Sequence, residues 1–124
     1  MQCPKCYGEM DTISTDGEGQ IRIDRCSECM GLYFDSLTRS DLVMVKDSSA
    51  IDTGSADLGA EFDDMVYVEC PKCDKIMDQR KIDDPVQIRF ELCTTCYSTF
   101  LDAGELRQYL SDDYRLEFEA LLPE

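Results

Sequence analysis

Eight cysteines carry most of the chemistry open to this chain, and all eight stand in pairs. Cys3-Pro4-Lys5-Cys6 is followed, after nineteen residues, by Cys26-Ser27-Glu28-Cys29. Cys70-Pro71-Lys72-Cys73 is followed, again after nineteen, by Cys93-Thr94-Thr95-Cys96. A C-x2-C turn aims two sulfurs at one point, and two such turns supply the four thiolates of a tetrahedral metal site. The expected ligands are Cys3, Cys6, Cys26 and Cys29 for one ion and Cys70, Cys73, Cys93 and Cys96 for a second. Zinc is the expected occupant of both. Four protein sulfurs leave no open position on the ion, so each site is read as structural, with no catalytic residue.

Two other fates are open to the thiols. Disulfides belong to oxidising compartments. Here Met1-Gln2-Cys3 puts a ligand at the start, with no basic stretch and apolar run ahead of it. The expectation is a cytoplasmic protein with reduced thiols and no membrane span. Iron also accepts four thiolates, which would give a rubredoxin-like electron carrier. Glycine usually follows the second cysteine of such knuckles, whereas Tyr7, Met30, Asp74 and Tyr97 stand there. Iron is the lesser expectation, as is a zinc-storage role.

The elements that must hold the cysteines come in two copies. A shift of 67 residues superimposes Cys3, Pro4, Lys5, Cys6, Met10, Asp11, Asp16, Gln20, Ile21, Arg22, Cys26, Cys29 and Asp35 on identical residues, which marks a duplication. Units of this size bury too little apolar surface to stand without a metal or disulfides. Between cysteine pairs each copy reads as a hairpin. In the first, Met10–Thr15 and Gln20–Asp24 flank a turn at Asp16-Gly17-Glu18-Gly19. In the second, Ile76–Ile82 and Val86–Leu92 flank Asp83-Asp84-Pro85. Alternation puts Ile21, Ile23, Val86, Ile88, Phe90 and Leu92 inward and Arg22 and Arg89 outward. A third strand follows each second pair, at Gly31–Asp35 and Ser98–Asp102, with an aromatic over the metal.

Asp35 and Asp102 suit helix N-caps, and Asp102 with Glu105 matches a capping box. Helices are expected over Ser36–Lys46 and Ala103–Leu110. A last helix runs from Ser111 or Asp112 to Leu122, with Tyr114, Phe118, Leu121 and Leu122 on one face. That stripe serves either as core or as a docking or homodimer face.

The fold class expected is a small metal-stabilised α+β protein: two tandem zinc ribbons, each a short antiparallel hairpin plus a third strand followed by a helix, and a C-terminal helix. The units are 1–46, an acidic flexible linker 47–65, 66–110, and an acidic tail 111–124. With a flexible linker, Cys26→Ser should unfold the first ribbon and leave the second largely intact.

The run Cys3-Pro4-Lys5-Cys6, Met10, then Asp24-Arg25-Cys26-Ser27-Glu28-Cys29-Met30-Gly31-Leu32-Tyr33-Phe34-Asp35 resembles the bacterial and archaeal zinc-ribbon family named after transcription factor IIB. The second copy resembles it through Cys70–Cys73, Met77, Cys93, Cys96 and Phe100-Leu101-Asp102-Ala103-Gly104-Glu105-Leu106. Tyr33 and Phe100 stand where tryptophan is usual, Ser98 replaces a glycine, and Ser36-Leu37-Thr38 departs from the usual x-Gly-Glu. The resemblance implies a ribbon with cysteine ligands, a transcription-associated role, and little about activity.

Composition bears on partners. Formal charge is −15, concentrated in 47–69, which carries seven acids and no base. Nucleic-acid affinity rests on basic clusters, so a protein partner is preferred to DNA or RNA. The nucleic-acid alternative places Arg22 and Arg89, with Tyr7, Tyr97, Lys5 and Lys72, along a single strand. The chain has no histidine, which removes imidazole-based catalysis, and no phosphate loop or activated serine motif. The expected role is a non-enzymatic adaptor or regulatory module.

Overall fold

The computed structural model describes residues 2–13, 23–35, 37–39, 51–54, 68–82, 88–111 and 114–122. Six strands are β1 (Met10–Ile13), β2 (Ile23–Cys26), β3 (Leu32–Phe34), β4 (Asp78–Ile82), β5 (Ile88–Leu92) and β6 (Thr99–Leu101). The described helices are α1 (Glu105–Tyr109) and α2 (Arg115–Leu121). The two hairpins, their flanking cysteines and both third strands follow the sequence reading. The turns between hairpin strands, Arg22, Ile21, Val86 and nearly all of the helix expected at 36–46 lie outside the described residues.

The strands form one sheet, ordered β1-β2-β3-β6-β5-β4 and antiparallel throughout. Its centre is the pairing of β3 with β6, in the register Leu32↔Leu101, Tyr33↔Phe100, Phe34↔Thr99. Tyr33 and Phe100 are each other's counterparts under the 67-residue shift, so the repeats meet about a pseudo-twofold axis at that pair. Every residue of β3 and β6 is buried, as expected of strands covered on both faces.

The period-2 geometry of strands sends alternate residues to opposite faces. One face carries Ile23, Leu32, Phe34, Phe90, Leu92 and Leu101, against the helices. There Tyr109 stacks on Phe118 at 4.4 Å between ring centroids, and Phe90 meets both edge-on. The other face carries Met10, Tyr33, Met77 and Phe100 beneath the cysteine knuckles.

The C-terminal stripe is spent on this core. Tyr114, Phe118 and Leu122 are buried in it and Leu121 packs against it. Of the two uses expected of the stripe, core and docking or homodimer face, this corrects the second: Phe90 and Tyr109 pack on Tyr114 and Phe118 within the chain. The helix begins at Arg115, after Tyr114. Arg39, 80 residues away, donates to the carbonyls of Glu119 (2.9 Å) and Ala120 (3.0 Å), satisfying acceptors that a helix C-terminus leaves open.

The expected cap of α1 needs a second correction. Gly104 occupies the N-cap with φ 86°, a left-handed value that glycine adopts without penalty. Half of the capping box forms, with the Asp102 N–H donating to Glu105 Oε1 at 2.8 Å. The Asp102 side chain is turned to Lys5 instead. The orphan N–H groups are met by Asp52, which accepts from Gly104 N–H (2.8 Å) and Arg107 N–H (3.2 Å).

Asp52 belongs to the stretch read as a tether, and its side chain is fully buried. Ile51 joins the helix-side core, and its carbonyl accepts from Arg25 at 3.1 Å. Gly54 sits where an added Cβ would meet the Cβ atoms of Met30 (2.5 Å) and Ala103 (2.7 Å). Segment 51–54 is therefore a packed strap; the rest of 47–65 lies outside the described residues. Asp52→Ala should cost about 2 kcal/mol, read as a lower denaturant midpoint at unchanged zinc content. Asp52→Asn, which keeps an acceptor, should cost less. Among the described residues no helix is long and apolar enough to cross a membrane.

Candidate metal centres

The hairpins bring each cysteine quartet to one point. Cys3, Cys6, Cys26 and Cys29 form one cluster and Cys70, Cys73, Cys93 and Cys96 the other, with all four sulfurs of each within 4.8 Å of one another. The shorter edges are Cys6–Cys26 at 3.3 Å and Cys3–Cys29 at 3.7 Å, and Cys73–Cys93 at 3.2 Å and Cys70–Cys96 at 3.6 Å. A tetrahedron with metal–sulfur bonds of ~2.3 Å has edges of about 3.8 Å, so each quartet is the right size for one ion.

All four knuckles have the same backbone. The N–H of each first cysteine donates five residues ahead: Cys3 to Gly8, Cys26 to Gly31, Cys70 to Lys75 and Cys93 to Ser98, at 2.8 to 2.9 Å. The residue after each second cysteine is left-handed: Tyr7 (φ 63°), Met30 (61°), Asp74 (60°) and Tyr97 (64°). The positions that lack the usual glycine thus take the glycine conformation anyway, at a cost of order 1 kcal/mol each. Their identity therefore does not discriminate against iron. Structural zinc contributes ~10–16 kcal/mol of apparent folding free energy, which offsets such strain.

The electrostatics also ask for a cation. Four sulfurs this close cannot all ionise alone. The hydrogen bond from Cys29 draws the Cys3 thiol down to about 5, and the same contact pushes Cys29 far up. Burial pushes Cys6 up to about 11. A divalent ion among them removes the conflict by displacing the protons.

Residues 2–44 match the family model of transcription factor zinc-fingers, the TFIIB-type zinc ribbon. The second quartet, at 70–96, is consistent with a second ribbon, and together the donor sets and the match support two zinc ions. No curated protein and no solved structure matches the chain significantly.

The two ribbons build each other's surroundings. Tyr33 of the first brings its hydroxyl to 4.0 Å from Cys70 Sγ of the second. Phe100 of the second fills the space beside Gly31 of the first, where a Cβ would stand 2.4 Å from the ring. Each central aromatic thus serves the opposite ribbon. Ser98, the departure from glycine, places its hydroxyl 3.1 Å from both Cys70 and Cys96 sulfurs, so the second site has hydroxyl contacts where the first has Gly31.

The lysines of the two Cys-Pro-Lys-Cys turns cross over in the same way. Lys5 Nζ lies 2.7 Å from Asp102 and 2.6 Å from Glu91, all buried. Lys72 lies 3.4 Å from Asp35, with both side chains partly exposed. These pairs are related by the 67-residue shift. Lys5 is not on the surface where the nucleic-acid alternative needs it. Burial alone would lower its pKa; Glu91 and Asp102 outweigh that and raise it. Arg89 stands on β5 opposite Lys81.

Glu105 sits beside this triad, and burial followed by the charge of Asp102 pushes its carboxyl well above the usual range. A carboxyl whose folded pKa is raised stabilises the fold fully below its unfolded value near 4.5, and that contribution is lost as pH rises through the folded value. Glu105→Gln keeps the oxygen that accepts from Asp102 N–H. It should be more stable than the wild type at pH 7 to 8 in urea melts, with the gap closing as pH falls toward 4.5.

Proposed function

We propose that this chain is a non-catalytic zinc-ribbon module that binds another protein, with a transcription-associated role suggested by the family match. The observation that carries it is the closure of both metal sites. Four sulfurs surround each position, so a bound ion has no place for water or substrate and serves to hold a surface in shape. The net charge of −15 favours a protein partner over a polyanion. The zinc-loaded chain carrying a photo-crosslinker should capture a discrete set of proteins from its own cells, and should leave single- and double-stranded DNA and RNA unshifted at micromolar concentration and low salt. Tight, salt-sensitive binding to an oligonucleotide, with no protein captured, would replace this reading with the nucleic-acid one.

A further inference from the structure

The geometry points to the groove between the two N-terminal knuckles as a docking site for an extended, arginine-bearing segment of a partner protein, an inference that rests on the protein-binding reading above. The groove straddles the pseudo-twofold axis on the metal face. Its volume is about 590 Å³, and its lining includes Pro4 and Pro71 with Cys3 and Cys70. That size lies within the range of clefts that bind ligands.

Its walls combine apolar and acidic groups. Tyr7 and Ile76, 68% and 55% exposed, both line it. Solitary exposed apolar side chains are ordinary; two lining one cleft form a patch. Glu69 and Asp74 supply carboxylates to the lining, and among the described residues no basic one lines the groove. Lys5 is held by Glu91 and Asp102 and Lys72 by Asp35; Lys75, between Asp74 and Ile76 in sequence, is exposed but is not among the lining residues. A zinc ion held by four thiolates carries a net charge of about −2, and Cys3 and Cys70, one from each site, are among the lining residues.

The charge selects the occupant. A second copy would set one net charge of −15 against another, and nucleic acid is a polyanion, so both are repelled. A guanidinium fits best. It bonds carboxylates in a planar fork and stacks on an aromatic face such as Tyr7, while neighbouring aliphatic side chains cover Ile76. An extended peptide delivers both to a cleft of this shape.

The test uses the full zinc-loaded chain and a fluorescein-labelled peptide alternating arginine and leucine, with lysine and glutamate versions as controls. Anisotropy at low salt should show saturable one-to-one binding of the arginine peptide, weaker binding of the lysine peptide and none of the glutamate peptide. Glu69→Gln with Asp74→Asn should weaken it about tenfold, and Tyr7→Asn about threefold. Asparagine at 7 and 74 tolerates the left-handed backbone, and zinc content and far-ultraviolet circular dichroism should match the wild type. Amide shifts should centre on Gln2, Tyr7, Glu69 and Ile76. Equal binding by all variants, shifts confined to the acidic tail, or a peptide-independent dimer in sedimentation would overturn the groove assignment. If the groove variants still capture the wild-type set of cross-linked proteins, the groove fails and the adaptor reading stands; if the wild type captures none, that reading fails first.

Discussion

Replacing Cys26 with serine is expected to melt both halves of the chain in a single transition. Cys26 ends β2, and its sulfur also accepts from the N–H groups of Glu28 and Cys29, each at 3.4 Å. Losing one of four ligands forfeits most of the ~10–16 kcal/mol that a structural zinc contributes, which exceeds the net stability of a small domain. The damage passes through the sheet. β3 pairs with β2 on one side and β6 on the other, so release of the first ribbon strips β6 of its partner and uncovers Phe100 and Leu101. It also takes Lys5 from Glu91 and Asp102. The sequence alone favours independent ribbons, and the two outcomes separate cleanly. Retention of one zinc with native amide signals over residues 70–110 would show the ribbons to be independent; loss of both sets of signals together is the expected result.

The second large effect separates two lysines that occupy equivalent places in the repeat. Lys5→Met should cost ~3–5 kcal/mol, because it leaves Glu91 and Asp102 buried without their shared cation. Lys72→Met should cost less than about 1 kcal/mol, because the Lys72–Asp35 pair is partly exposed and screened by water. Urea denaturation of the zinc-loaded variants reads both. Adding Glu91→Gln and Asp102→Asn to Lys5→Met should recover much of the loss, since the uncompensated charges are then gone. An equal, small effect at both lysines would mean that the buried triad contributes no more than a surface pair.

Much of this arrangement is legible in the sequence because its signals are local. Cysteine spacing places the metal ligands. Period-2 alternation around Phe90 and Leu92 places a half-buried strand, and the 67-residue shift pairs each strand with its twin. What joins the ribbons is not local. One hint exists: Leu32-Tyr33-Phe34 has no polar face, so β3 had to be covered on both faces. The crossing of Lys5 to Asp102 has no such mark, because a lysine in a cysteine knuckle reads as surface until a neighbour buries it. Asp52 is hidden for a similar reason. Among small and acidic residues it looks like tether, and only the orphan N–H groups of a helix 52 residues away reveal it as a cap. Tyr114, Phe118 and Leu122 show an apolar stripe whose periodicity cannot say what covers it; the cluster of Phe90 and Tyr109 does.

The most direct test is a zinc titration of the reduced, metal-stripped full chain followed by far-ultraviolet circular dichroism. Strand signal should grow with added zinc and saturate at two ions per chain, with a colourless product and reversal by a strong chelator. A stripped chain that already shows the full spectrum and the same melting temperature, or one that reaches its native spectrum only when the cysteines form disulfides, would contradict the claim that two four-thiolate metal sites hold this single sheet together.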